Sequence, residues 1–197
     1  MLGAERRAWA LAALSAILQV LIFPLPNFYL LSWIAVTPLL VALLNARRAG
    51  ALQLQGSIIL LPARPWQGFA LGYLCGILWY AGTCYWVFNT MKQYGGINAA
   101  GALGLLILFC LYLALYHGLF GLVISILSRS SLRLALALSP LVWVAVELAR
   151  TRISGFPWDL LGIAQVDNAP LARIARITGV YGVSFEIMVV NVAFAAA

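Results

Sequence analysis

Six stretches of apolar residues, each bounded by charges, prolines or glycines, divide this chain. They fall at residues 8–23, 28–44, 68–91, 98–127, 134–148 and 180–197. Each approaches or exceeds the roughly 20 residues with which an α-helix crosses hydrocarbon, so the pattern predicts six transmembrane helices. The separators are unequal. Pro24-Leu25-Pro26-Asn27 is a short uncharged turn that makes the first two helices a hairpin, and Pro38 predicts a kink in the second. Within residues 45–67, Ser57–Leu61 is apolar but far too short to span, and Pro62 and Pro65 break the chain directly after it, so it touches the membrane surface at most.

Finer periodicities lie inside the helices. Gly68, Gly72 and Gly76 recur every four residues, a smooth groove where another helix can approach closely. The fourth segment is longer than hydrocarbon requires and must tilt or extend beyond it. Tyr94-Gly95-Gly96 predicts a reversal. In the connection 151–179, Pro170 starts a short helix with Leu171, Ile174, Ala175 and Thr178 on one side and Arg173 and Arg176 elsewhere, suited to the membrane interface.

Composition turns these helices into a fold class. Hydrophobic residues make up 64% of the 197 and charged residues 9%, with a mean hydropathy of +1.01, against roughly 45–50% and 25% in soluble domains. The expectation is an all-α integral membrane protein, a polytopic bundle of about six helices with a short interfacial helix. A net charge of +7 could indicate nucleic acid, but the basic residues sit in pairs at helix ends, so no nucleic-acid partner is expected. Arg6, Arg7, Arg47, Arg48, Arg64, Arg129 and Arg133 fall on one side, which the positive-inside rule makes cytoplasmic. Lys92, Arg150, Arg152, Arg173 and Arg176 fall on the other, with Glu147, Asp159 and Asp167. Both termini are therefore expected inside. No small-residue cleavage site follows residues 8–23, so that run is a retained helix and not a removed signal. Cys75, Cys84 and Cys110 lie inside apolar runs without C-x-x-C spacing, as packing residues and not metal ligands or disulfides.

The chemistry gathers between Glu147 and Gly182. Glu147 and Arg150, at i,i+3, can meet on one helix face and offset part of the roughly 2.5–3.5 kcal/mol that a charge costs in the bilayer centre. This reads equally as a helix-end anchor or as a grip on a polar headgroup, with Arg152, Asp159 and Phe156-Pro157-Trp158 close behind. Trp79, Tyr80, Tyr85, Trp86 and Phe88 read first as an interfacial aromatic belt and second as a lipid-binding wall. His117, the one histidine, is expected to be a hydrogen-bonded packing residue beside Tyr116. Glu186 and Asn191 in the final run call for partners, and that run, without a flanking charge, reads as a chain cut short.

Several motifs together resemble the bacterial apolipoprotein N-acyltransferases. They are G-x-x-W-Y-x-G-T-C-Y-W-V at Gly76–Val87, Y-G-G at Tyr94–Gly96, E-L-A-R at Glu147–Arg150, G-F-P-W-D-L-L-G at Gly155–Gly162, A-Q at Ala164-Gln165 and G-V-Y-G-V-S-F at Gly179–Phe185. The G-F-P-W turn after E-x-x-R is the most specific; the early helices match only in hydropathy, and residues 52–65 look like a lengthened cytoplasmic loop.

The resemblance implies a multi-pass protein of the bacterial inner membrane. Its enzymes move an acyl chain from a phospholipid donor to the α-amino group of a diacylated apolipoprotein, using a Glu-Lys-Cys triad in a nitrilase-like domain. This chain matches only the membrane half, so the resemblance carries over no catalytic residue, metal or cofactor and makes the carboxy-terminal nitrilase-like domain a missing partner. It implies that Trp79, Tyr80, Tyr85, Trp86, Phe156, Pro157 and Trp158 line acyl chains while Arg150 and Arg152 meet phosphate, Glu147 orienting Arg150. A rival reading is a non-catalytic anchor or scaffold for a separate transferase, such as a polyprenol-phosphate glycosyltransferase. A small transporter is weaker, since no internal repeat is present.

Overall fold

The computed structural model describes residues 4–24, 26–48 and 60–197. Most of the predicted departure at 52–65 and of the surface-touching run 57–61 lies outside them. The described chain is helical almost throughout, an all-α polytopic membrane protein, with one two-residue pairing of β1 (Arg47–Arg48) and β2 (Leu60–Leu61).

Helix α1 spans Arg6–Leu21. The second apolar stretch is interrupted: a 3-10 turn at Tyr29–Leu31, then α2 (Ser32–Ala35) and α3 (Thr37–Leu44), with Val36 between them. Pro38 explains the break, because it brings no N–H and its ring crowds the carbonyl four residues earlier. The polar groups so exposed are met by side chains from elsewhere. Asn191 Oδ1 accepts from the Val36 and Thr37 N–H groups at 2.8 and 2.9 Å, its Nδ2 donates to the Ser32 carbonyl at 2.8 Å, and Ser15 Oγ donates to the Ala35 carbonyl at 2.7 Å. Asn191 therefore finds inside the bundle the partners that its sequence position called for.

The third stretch is also divided, into α4 (Pro65–Thr83) and α5 (Trp86–Gln93), which meet at 54°. Helices α6 (Ala99–Ser130) and α7 (Leu132–Ser154) follow, capped by Asn98 and Ser131, whose side chains accept from Gly101 N at 2.8 Å and Leu134 N at 3.3 Å. The 3-10 turn Leu161–Gln165 leads into α8 (Ala169–Ala196). At Gly179, φ is 68° and ψ −179°, a conformation open essentially to glycine alone, and it divides α8 into the predicted interfacial segment and a long apolar one. In the first segment Leu171, Ile174 and Ala175 are half-buried and Arg173 and Arg176 exposed, as the periodicity predicts, while Thr178 is exposed.

Among the described residues, three helices, α6, α7 and α8, are long and apolar enough to cross a membrane, and the bent α4–α5 pair makes a fourth if counted as one span. Helix α1, with 16 residues, and the interrupted stretch Tyr29–Leu44 are shorter than an unbroken span. The helices nevertheless close on one another: α1 packs on α4, α4 on α6, α6 on α7, α7 on α8, and α8 on α2 and α3, which return to α1, while α5 packs on α6 and α3 also touches α4 and α6. The bundle is a closed ring of contacts.

Its tightest seam is α4 against α6, where the glycine groove lies. A Cβ on Gly72 would run into the backbone of His117 and Gly118, and one on Gly76 into Ala114 and the His117 side chain. Without side chains at those positions the backbones approach closely, which sets His117 directly beside α4. Gly72→Val is expected to force the two helices apart and destabilise the bundle by about 1–3 kcal/mol, as overpacking does; a thermal melt of the detergent-solubilised protein reads this as a lowered midpoint.

Candidate functional site

The site is built on the last two turns of α7. Glu147 and Arg150 are both buried there, 4% and 2% exposed. Gly155 takes a left-handed conformation, φ 66°, that ends the helix and lets residues 156–160 fold back over it. The helix thus runs to Ser154, beyond the predicted end at 148.

The expected Glu147–Arg150 ion pair does not form among the described residues. Both side chains turn to the backbone of the returning loop. Arg150 Nη1 donates to the carbonyls of Phe156 at 3.3 Å and Trp158 at 2.6 Å, and Nη2 to that of Asp159 at 3.2 Å. Glu147 Oε1 accepts from the Leu161 N–H at 2.7 Å and from Trp143 Nε1 at 3.0 Å. The fork of donors on arginine meets carbonyls and the acceptor-only carboxylate meets N–H groups, so together they satisfy a stretch of backbone that has no helical partners. The guanidinium also lies over the rings of Tyr80 and Phe156, at 5.7 and 5.9 Å. Beyond this, Ser184 Oγ accepts from Gly162 N at 2.8 Å, and Gln165 Nε2 donates to the Tyr29 carbonyl at 3.0 Å and to Ser32 Oγ at 2.6 Å.

The loop presents an aromatic face. Phe156 is buried against Phe109, with ring centres 5.0 Å apart, and Trp158 stands 55% exposed, 5.2 Å from Phe156. Asp159 reaches back to the α4–α5 break, where Cys84 Sγ donates to its Oδ2 at 3.5 Å. Tyr85 and Trp86, next in the chain, are exposed at 44% and 40%. Trp158 and these two therefore flank one contact. Pro157 and Arg152 are exposed, Arg152 without a hydrogen bond or ion pair among the described residues.

Trp79 and Tyr80 behave differently from the rest of the aromatic group. They are 1% and 0% exposed and face inward, against His117 at ring distances of 4.6 and 5.5 Å, with Trp143 on its other side at 5.2 Å. His117 is the residue that sequence reasoning undervalued. It is packed as expected, but neither ring nitrogen has a hydrogen-bond partner. Trp143 was missed too, although its i,i+4 spacing to Glu147 places both on one helix face.

A comparison with protein families matches residues 15–193 to the apolipoprotein N-acyltransferase N-terminal domain. Among curated relatives, the apolipoprotein N-acyltransferase of Geobacter metallireducens is 36% identical over 188 residues, 95% of this chain and 33% of that protein. That of Methylococcus capsulatus is 38% identical over 131 residues, 66% of this chain and 26% of that protein. The one from Pasteurella multocida is 34% identical over 120 residues, 60% and 22%. The chain spans a third or less of the length of these relatives.

Two outcomes test the loop. Arg150→Ala leaves three carbonyls without donors in apolar surroundings and is expected to cost about 3 kcal/mol or more, with Arg150→Lys restoring only part; maleimide labelling of Cys84, buried under Asp159, reads the release as faster modification. Burial raises the Asp159 carboxyl above its ordinary value, against hydrogen bonds from Thr83 and Cys84 and the charge of Arg150. A carboxyl raised in the fold contributes stability in full below its unfolded value, and loses it as pH climbs through the folded one. The thermal midpoint is therefore expected to fall as pH rises past that titration, and Asp159→Asn to flatten the fall; an unchanged slope in the variant contradicts this.

Proposed function

Because this chain belongs to the apolipoprotein N-acyltransferase family, through the N-terminal domain matched at residues 15–193, we propose that it forms the membrane domain of an enzyme acylating bacterial lipoproteins. In this reading an acyl chain passes from a phospholipid ester to a cysteine thiolate, releasing a lysophospholipid, and from that thioester to the α-amino group of the diacylglyceryl-cysteine of an apolipoprotein, which loses a proton as the cysteine is regenerated. The thiolate, its general base and the oxyanion-stabilising lysine belong to a nitrilase-like domain elsewhere in the protein. In accord with that, Cys75, Cys84 and Cys110 are all buried in this bundle, and Lys92 is the only lysine in the sequence.

The observation that carries the reading is an exposed tryptophan on a backbone held rigid from beneath. Trp158 stands on the loop that Arg150 and Glu147 fix, and the next residue, Asp159, meets Cys84 at the helix break that Tyr85 and Trp86 follow. Such a fixed aromatic rim gives acyl chains a defined path at the membrane surface, while Arg152 offers an unengaged guanidinium to a phosphate. Arg150 and Glu147 act as positioning residues. Placing Arg47, Arg64 and Arg129, which share one groove, in the cytoplasm of an inner-membrane protein puts the rim on the outer face.

The test uses the full-length protein. Trp158→Ala is expected to reduce transfer to a diacylated lipopeptide by about tenfold or more, since misplacement alone has that effect, with the thermal midpoint little changed. Tyr85→Ala and Trp86→Ala combined are expected to act in the same direction. Full transfer activity in both would remove the rim from the reaction.

A further inference from the structure

Buried polar side chains in this bundle fall into two groups. One group, Ser15, Ser184, Arg150 and Asn191 among them, is engaged with interrupted backbone. The other keeps at least one polar atom without a partner. Of seven buried side-chain atoms without a hydrogen-bond partner among the described residues, Gln19 Oε1 and Ser125 Oγ lie apart, and five converge: Trp79 Nε1, Tyr80 Oη, both nitrogens of His117 and Glu147 Oε2. All four of these residues line one narrow cavity between α4, α6 and α7, with Trp143 and Arg150 completing its wall. All six are at least nine-tenths buried.

We propose that this cavity is a built site for a single hydroxyl group, carried by a water molecule or by the glycerol of a phospholipid. An orphaned polar atom in such surroundings costs about 1–3 kcal/mol, so five around one space are not left empty at no cost. The donor set selects the occupant. The indole N–H and phenol O–H donate, the carboxylate oxygen accepts, and a neutral imidazole offers one of each. A phosphate, which only accepts, would meet Glu147 with like charge, and an ammonium, which only donates, would meet Arg150. A hydroxyl both donates and accepts and carries no charge to desolvate. Size agrees: the interior is about that of one water molecule, and Tyr116 and Val146 line it beside the polar groups. An oxygen there would join α4 and α6 to Glu147, and through it to the Leu161 N–H that starts the turn after the loop. This inference stands independently of the acyl-transfer reading.

Solid-state NMR of the full-length protein, labelled with nitrogen-15 at histidine and reconstituted in phosphatidylglycerol–phosphatidylethanolamine vesicles, tests it. The His117 ring resonances are assigned by their loss in His117→Phe, or, if that variant does not accumulate, by their shift in Tyr80→Phe. Proton magnetisation is expected to reach the His117 nitrogens from an immobilised hydroxyl, with the transfer reduced in Tyr80→Phe. Persistence in vesicles deuterated through headgroup and glycerol identifies water, and loss there identifies the lipid hydroxyl. No transfer from either source, or a direct hydrogen bond from His117 to another side chain, overturns the proposal.

Discussion

A backbone polar group in hydrocarbon has no water to turn to, and the arrangement of this protein follows from that constraint. An unbroken helix meets it internally, yet among the described residues, besides the bend at Gly179, there are interruptions between α2 and α3, between α4 and α5, and along residues 155–168 after α7. Each is met by a side chain from a distant or neighbouring element. Asn191 serves the first, Asp159 meets the second through Cys84, and Arg150 with Glu147 serves the third. The charged pair is used for backbone and not for mutual attraction. Three carbonyl bonds and an N–H bond fix a loop, which a single ion pair could not do.

The close seam between α4 and α6 and the pinned loop are parts of one arrangement. Glycines at 68, 72 and 76 bring His117 against α4, and the same helix carries Trp79 and Tyr80 one turn further on. Tyr80 then supports the Arg150 guanidinium from below while Phe156 lies on it from the loop. The exposed Trp158 is thus separated from the glycine seam by a short sequence of contacts, each between buried groups. Rigidity at the surface has its source in packing at the centre.

The sequence made the fold class, the glycine groove, the short helix begun at Pro170 and the polar stretch after α7 legible, because hydropathy, four-residue spacing and residue type report on burial directly. It made the breaks less legible. Pro38 announced a kink but not that Asn191 would serve it, since a pairing across 155 residues leaves no local trace. The break at Thr83–Trp86 contains no proline, and the G-T-C-Y run reads as helix or turn with equal ease. Glu147 and Arg150 at i,i+3 invited a pairing that the returning backbone outcompetes, a tertiary effect invisible to spacing. The split of the aromatic group, with Trp79 and Tyr80 inside and Tyr85 and Trp86 outside, follows from that unforeseen bend.

The reach of the bonds across these breaks also orders biosynthesis. Glu147 meets the Leu161 N–H only 14 residues later, so the carboxylate near the end of α7 can find its backbone donor almost as soon as that segment leaves the ribosome. The gap at Val36 waits far longer, for Asn191. Until α8 arrives, the break between α2 and α3 lacks the side chain that meets its free N–H groups, and α8 is the helix that closes it.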